Sequence, residues 1–187
     1  MTKCLPVSFF ARPPLEVAPE LLHKVLVGPD GRTGRIVEVE AYGGEDDPGS
    51  HGWRGVTPRT EVMFGPPAHW YVYLSYGVHW CANVVVDAPG VCAAVLLRAI
   101  EPLEGIDRMR EARNGRHDRE LANGPGKLTQ AMGVDGSLGG HPIASSRLQI
   151  VDDAAPVPDR DATPRIGLSE GRGEDVPWRF VVASANH

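Results

Sequence analysis

Three strand-like runs lie almost end to end near the middle of the chain, at Trp70–Ser75, Val78–Asp87 and Ala93–Ala99, and they constrain the fold more than any other feature. The first two are parted only by Tyr76-Gly77. The third is near-continuously apolar, without alternation, which reads as a strand covered on both faces. A sheet therefore forms the heart of the protein. Upstream, Val25–Val27 and the segment RIVEVEAY (residues 35–42) flank the turn-rich GPDGRTG and predict a hairpin. Residues 1–15 read as an extended N-terminal arm leading into a short helix around Ala18–Lys24, and residues 43–69 as a long loop of the kind that carries function.

Downstream, Leu103, Ile106 and Met109 recur at helical spacing within Leu103–Arg113, and a second helical run, Asp118–Met132, is broken at Asn123-Gly124-Pro125. Apolar stretches at Leu148–Val151, Arg165–Leu168 and Trp178–Val182 predict returning strands. A chain of 187 residues with 42% hydrophobic content buries roughly two-thirds of its unfolded surface, enough for one core. The expected architecture is α+β, one domain over 1–187 with a curved, mostly antiparallel sheet flanked by helices.

No run of 18 apolar residues occurs, and the first residues lack a secretory pattern. Cys4, Cys81 and Cys92 show no CxxC spacing, so neither a disulfide framework nor a zinc ribbon is indicated. These features predict a cytoplasmic protein, nucleoid-associated in a bacterium, with no membrane partner. The formal charge of −5 weighs against nucleic acid, which favours basic surfaces. The cations nevertheless concentrate in residues 98–147, where eight Lys and Arg face seven acids, and a groove needs only a local cluster.

Strand alternation in RIVEVEAY sends Val37, Val39 and Ala41 to one face and Glu38, Glu40 and Tyr42 to the other. Two carboxylates on a strand surface are ordinary, but the long loop that follows ends in Ser50-His51 and could cover Glu40, making it a candidate base. The tract HWYVYLSYGVHW places Tyr71 and Tyr73 on one strand face and Tyr76 at a turn. Tyrosines of this kind serve either as packing or as a stacking platform. A tyrosine at a turn tip suits a wedge that fills the gap left by an extruded nucleotide. Asn83, Arg98 and Lys127 have ordinary explanations taken singly. The segment GPGKL lacks the GxxxxGK[ST] spacing of a triphosphate loop, and the histidines form neither HExxH nor a deaminase zinc set. No metal or organic cofactor is implied.

Five segments in order, GRIVEVEAYGGEDDPGSH, TPRTEVMF, YVYLSYGVHWCANVVV, AVLLRAIEPLEG and DRELANGPGKLTQAMGV, resemble the alkyladenine (3-methyladenine) DNA glycosylase family. The resemblance covers roughly residues 20–135 and extends to a strand near Ile166 and the closing WRFVV. It implies a monofunctional enzyme of base excision repair that acts on double-stranded DNA containing a damaged purine, for which a monomer suffices. It implies Glu40 as the base that activates water, with Arg98 and the main chain near Ile166 holding that water. Tyr42, His51 and Tyr73 would sandwich the extruded base, Asn83 would lie on the floor against an exocyclic amino group, and Tyr76 would intercalate. Val78, Arg59 and Lys127 are candidate DNA contacts.

This chain departs from the family pattern at Val78, where a larger residue is usual, and in a longer connection between Asn83 and Arg98. Two other readings remain open at this point. Glu38 and Glu40 could be a glycosidase pair, although neighbours on one strand do not flank a bond from opposite sides. The aromatics could instead serve a non-catalytic nucleic-acid binding module. Among Lys3, Lys24 and Lys127 none takes a Glu40-like position, so no Schiff-base chemistry is expected.

Overall fold

The computed structural model describes residues 3–183. Its centre is a pair of long antiparallel strands, β3 (Thr33–Gly43) and β6 (Ala93–Glu104). Residues 93–100 of β6 are buried without interruption, as an unalternating apolar run requires. One edge of β6 continues into β5 (His79–Val85) and β4 (Trp70–Ser75). The other edge of β3 is shared by β2 (Val25–Val27) and β9 (Arg179–Val182). Beyond β2 lie β7 (Gln149–Asp152) and β1 (Lys3–Cys4), and β9 also pairs with β8 (Arg160–Thr163). Every one of these strand pairings is antiparallel, and the sheet stays open, so the fold is a single α+β domain.

The sheet separates two apolar clusters. The larger holds Val37, Val39, Ala41, Trp70, Ala82, Val84, Val95 and Leu97, and the helices α2 (Pro14–Leu21) and α4 (Pro125–Met132) pack on it. The smaller lies on the opposite face around Met63, Tyr71, Val85, Cys92 and Ala94. A register shift between Ile36 and Glu38 marks a β-bulge, which lets both Ile36 and Val37 reach the larger core. Beyond the bulge the alternation holds, and Glu38, Glu40 and Tyr42 all face away from that core. Two further helices, α1 (Val7–Phe10) and α3 (Ile106–Ala112), complete the domain.

Several boundaries differ from the sequence expectation. The N-terminal segment is not simply extended: it contains the α1 turn, and α2 begins at Pro14 rather than near Ala18. Proline at the first helical position is favoured because its missing N–H would be unpaired there anyway. Leu103 belongs to the end of β6, and the helix starts three residues later. Arg165–Leu168 is not a strand; the strand of that region is β8, whose polar RDAT sequence reflects its exposed position. No helix among the described residues is long and apolar enough to cross a membrane.

Candidate active site

Glu40 sits midway along β3 with no exposed surface at all, an unusual place for a carboxylate. Its surroundings account for that. The main-chain N–H of Ile166 donates to Oε1 at 2.7 Å, Arg98 Nη1 forms an ion pair with Oε1 at 3.2 Å, and the Tyr42 hydroxyl donates to Oε2 at 2.8 Å. A carboxylate offers about four lone-pair positions; two take hydrogen bonds and Arg98 is paired alongside, which leaves capacity for a small donor such as water. Tyr42 is locked as a donor, because burial first and the Glu40 charge second push its phenol well above the ordinary range.

Arg98 reaches Glu40 from β6 and is itself nearly buried. Its Nε donates to Glu38 Oε1 at 2.7 Å, and Arg179 Nε donates to the same oxygen at 2.6 Å. Burial opposes charge on Arg98, but the two carboxylates outweigh it and its proton is held more tightly than usual. Glu38 is thus consumed as a partner for two arginines. It does not share the cleft with Glu40, which removes the geometric basis for a glycosidase pair.

The loop after β3 folds around a second buried acid. Asp47 accepts from the N–H groups of Gly43 and Gly49, each at 3.0 Å, and takes both Nη atoms of Arg165 at 2.7 Å. Such a two-pronged pair tolerates desolvation that either ion alone would not, although Arg165 Nε itself finds no partner among the described residues. Arg165 also donates to the Ala41 carbonyl, so the segment carrying Ile166 is pinned to the strand carrying Glu40. Past Ser50 the chain runs so close to Cys92 that a Cβ on Gly52 would fall 2.0 Å from its Sγ. That approach delivers His51 to the tyrosines of β4.

His51 Nδ1 lies 3.0 Å from the Tyr71 hydroxyl, and its ring meets the Tyr73 ring edge-on at 4.5 Å between centroids. Burial, followed by the Arg59 charge, lowers the His51 pKa to about 4, so the imidazole is neutral near pH 7. Arg59 stacks over Tyr73 at 5.1 Å and approaches His51 Nε2 at 3.5 Å. Burial raises the Tyr73 phenol, with Cys81 adding to the effect. Asn83, on β5, is buried and donates its amide to the Tyr71 carbonyl.

A cleft of about 460 Å³ brings together Glu40, Tyr42, His51, Arg59, Tyr73, Tyr76, Asn83, Arg98 and Ile166. Nine residues singled out from the sequence therefore share one cavity, drawn from β3, β4, β5, β6 and three loops. Tyr76 stands at its rim, 92% exposed. Val78 is exposed on the same hairpin, and Lys127 lies at the start of α4 beside the cleft residue Pro125, donating to Asn123; neither lines the cleft itself. Tyr71 lines it as well; alternation already put it beside Tyr73, but no motif gave it a role. Arg165 and Asp47 carried no sequence signal, since charged residues in a loop are normally solvated. Among the described residues no group of three His, Cys, Asp or Glu side chains is disposed to hold a metal ion.

Residues 8–186 match the family model for methylpurine-DNA glycosylase. A relative from Burkholderia cenocepacia is 52% identical over 182 residues, covering 95% of this chain and 87% of its own. One from Carboxydothermus hydrogenoformans is 46% identical, covering 95% and 94%, and one from Rhodopseudomonas palustris is 47% identical, covering 92% and 81%. All three carry the name "Putative 3-methyladenine DNA glycosylase". With a match of this extent and a site built from the segments that suggested it, the chain belongs to the methylpurine-DNA glycosylase family.

Proposed function

We propose that this protein is a monofunctional DNA glycosylase of base excision repair, which takes an alkylated or deaminated purine out of the duplex and hydrolyses its N-glycosidic bond. The observation that carries the reading is Glu40, fully buried yet lining an aromatic cleft, with two hydrogen bonds and the Arg98 ion pair on its oxygens and lone-pair capacity left over.

In this mechanism a water on Glu40 attacks C1′ as the C1′–N bond breaks, its proton passes to the carboxylate, and the bonding electrons leave with the purine. The sugar passes through an oxocarbenium-like state that the anionic carboxylate also stabilises. Arg98 and the Ile166 N–H hold the carboxylate, and through it the water. Tyr42, Tyr73 and His51 stack on the base, Asn83 faces its edge, and Tyr76 fills the vacated stack. A cationic alkylpurine leaves as a neutral base. A neutral base such as hypoxanthine needs a proton on departure, and the neutral His51 is a poor source of it. The two classes therefore differ in pH dependence.

The enzyme works as a cytoplasmic monomer on double-stranded DNA, requires no cofactor, and leaves an abasic site without cutting the backbone. The test is a panel of single-lesion duplexes incubated with wild type and Glu40→Gln and scored for abasic sites. Wild type releases base; the variant keeps lesion binding and loses release by roughly 10²-fold or more. A wild-type protein that binds duplex but releases no base from any lesion would identify a non-catalytic module instead. Borohydride is expected to trap no covalent complex.

A further inference from the structure

Tyr42 already carries a cation on the face it turns away from the cleft. The Arg165 guanidinium lies 4.7 Å from the Tyr42 ring centroid and 5.0 Å from that of Trp178, so the planar cation is packed against two aromatic rings. Its side chain and that of Asp47 are each 1% exposed, and Arg165 is not part of the cleft lining, whereas Tyr42 is. The guanidinium thus occupies the buried face of the ring, and the opposite face is offered to the cleft. Asp47 binds both Nη atoms and therefore sits at the guanidinium's edge. The cation is the charge in contact with the ring.

A tyrosine attracts a cation through the negative potential of its ring face. A second cation on the opposite face draws on the same electron cloud and also repels the first across one ring thickness. Stacking of a neutral purine depends mainly on dispersion and apolar burial, and is little affected. We infer that Arg165 is a specificity-determining residue: by occupying the buried face of Tyr42, it holds down the preference of the cleft for a cationic over a neutral extruded base. This inference rests on the glycosylase reading and assigns to Tyr42 a wall that accepts both classes. Arg165 touches no substrate: its clamp on the Ile166 segment bears on both rates alike, and its effect on the ratio passes through that ring.

The test is single-turnover base release from otherwise identical duplexes carrying 7-methylguanine, which is cationic, or hypoxanthine, which is neutral. Intrinsic bond lability cancels when the ratio of the two rates is compared between proteins. The double variant Arg165→Gln/Asp47→Asn removes both buried charges together and avoids an orphaned ion. It is expected to raise the cationic-to-neutral ratio by roughly three- to tenfold, whatever its absolute rates. Arg165→Lys keeps the charge and is expected to keep the ratio near wild type even if both rates fall. A double variant whose two rates fall in parallel would reduce Arg165 to a structural role and overturn the inference.

Tyr42→Leu gives a second check that leaves the ion pair in place. With the ring already engaged by Arg165, its loss is expected to change the ratio by less than about twofold, although both rates drop. A severalfold fall in the ratio would show that Tyr42 draws in cationic bases strongly, and would overturn the inference. Wild type releasing neither base would remove the glycosylase reading itself, and the inference with it.

Discussion

The Ile166 N–H donates to Glu40 Oε1 across 2.7 Å, joining residues 126 positions apart in the chain. The contact is made by the backbone, so the identity of the residue at 166 matters less than its path. That path is set one residue earlier, where Arg165 is clamped by Asp47 and by the Ala41 carbonyl. A buried carboxylate in the middle of a strand thus takes one of its donors from the far end of the sequence.

Ile166→Pro removes that donor and Ile166→Ala retains it. The proline variant is expected to lose base release by roughly 10- to 100-fold, as when one donor is taken from a preorganised charged site, while the alanine variant stays within about threefold of wild type. Single-turnover rates on a lesion duplex check this, with gel-shift binding to the same duplex confirming that both proteins fold. Equal losses in the two variants would mean that the side chain, not the N–H, is what matters.

Tyr76 adopts φ 51° and Gly77 φ 69°, and the Val78 N–H closes the turn on the Ser75 carbonyl at 3.0 Å. Positive φ at both central positions is the sign pattern of a type I′ turn, which favours Asn-Gly. A tyrosine there costs on the order of 1 kcal/mol of backbone strain and is left almost wholly exposed. Tyr76→Asn is therefore expected to hold or raise thermal stability while weakening lesion processing. Calorimetry and base-release rates read the two effects separately. A variant that lost stability and kept full activity would contradict the wedge assignment.

His51 is expected to titrate far below an ordinary histidine, with a midpoint near 4. The sign follows from linkage. Below its ordinary pKa of 6.5 the unfolded chain takes up a proton that the folded ring refuses, so this group subtracts stability as pH falls from about 6.5 to about 4. It contributes no pH dependence above that window. Two-dimensional NMR of the imidazole resonances measures the midpoint directly, and a value at or above 6 would show that the ring is charged more easily than its setting allows.

The strands of the site were largely legible before any coordinates. Alternation in RIVEVEAY put Glu40 and Tyr42 on one face, and alternation in β4 put Tyr71 beside Tyr73, because successive side chains in a strand point to opposite sides. The near-continuous apolar run of residues 93–99, interrupted only by Arg98, identified the central strand by its lack of alternation. Helix starts were less legible: α2 begins at Pro14 because a first-turn proline is compatible with a helix, and a reading by apolar spacing passes over it. The 165–168 stretch looked like a strand from its composition, yet its partners are the Asp47 and Glu40 carboxylates rather than a neighbouring strand.

By itself the sequence determined the sheet, the faces of its strands and the family motifs, since each depends on residues a few positions apart. Only the tertiary structure decided that Glu40 is buried and triply held, that Glu38 is spent on Arg98 and Arg179, and that Arg165 backs Tyr42. Those outcomes depend on desolvation and on pairings between distant segments. Local pattern carries no record of either, because a charged residue reads the same in a sequence whether it ends in water or in a core.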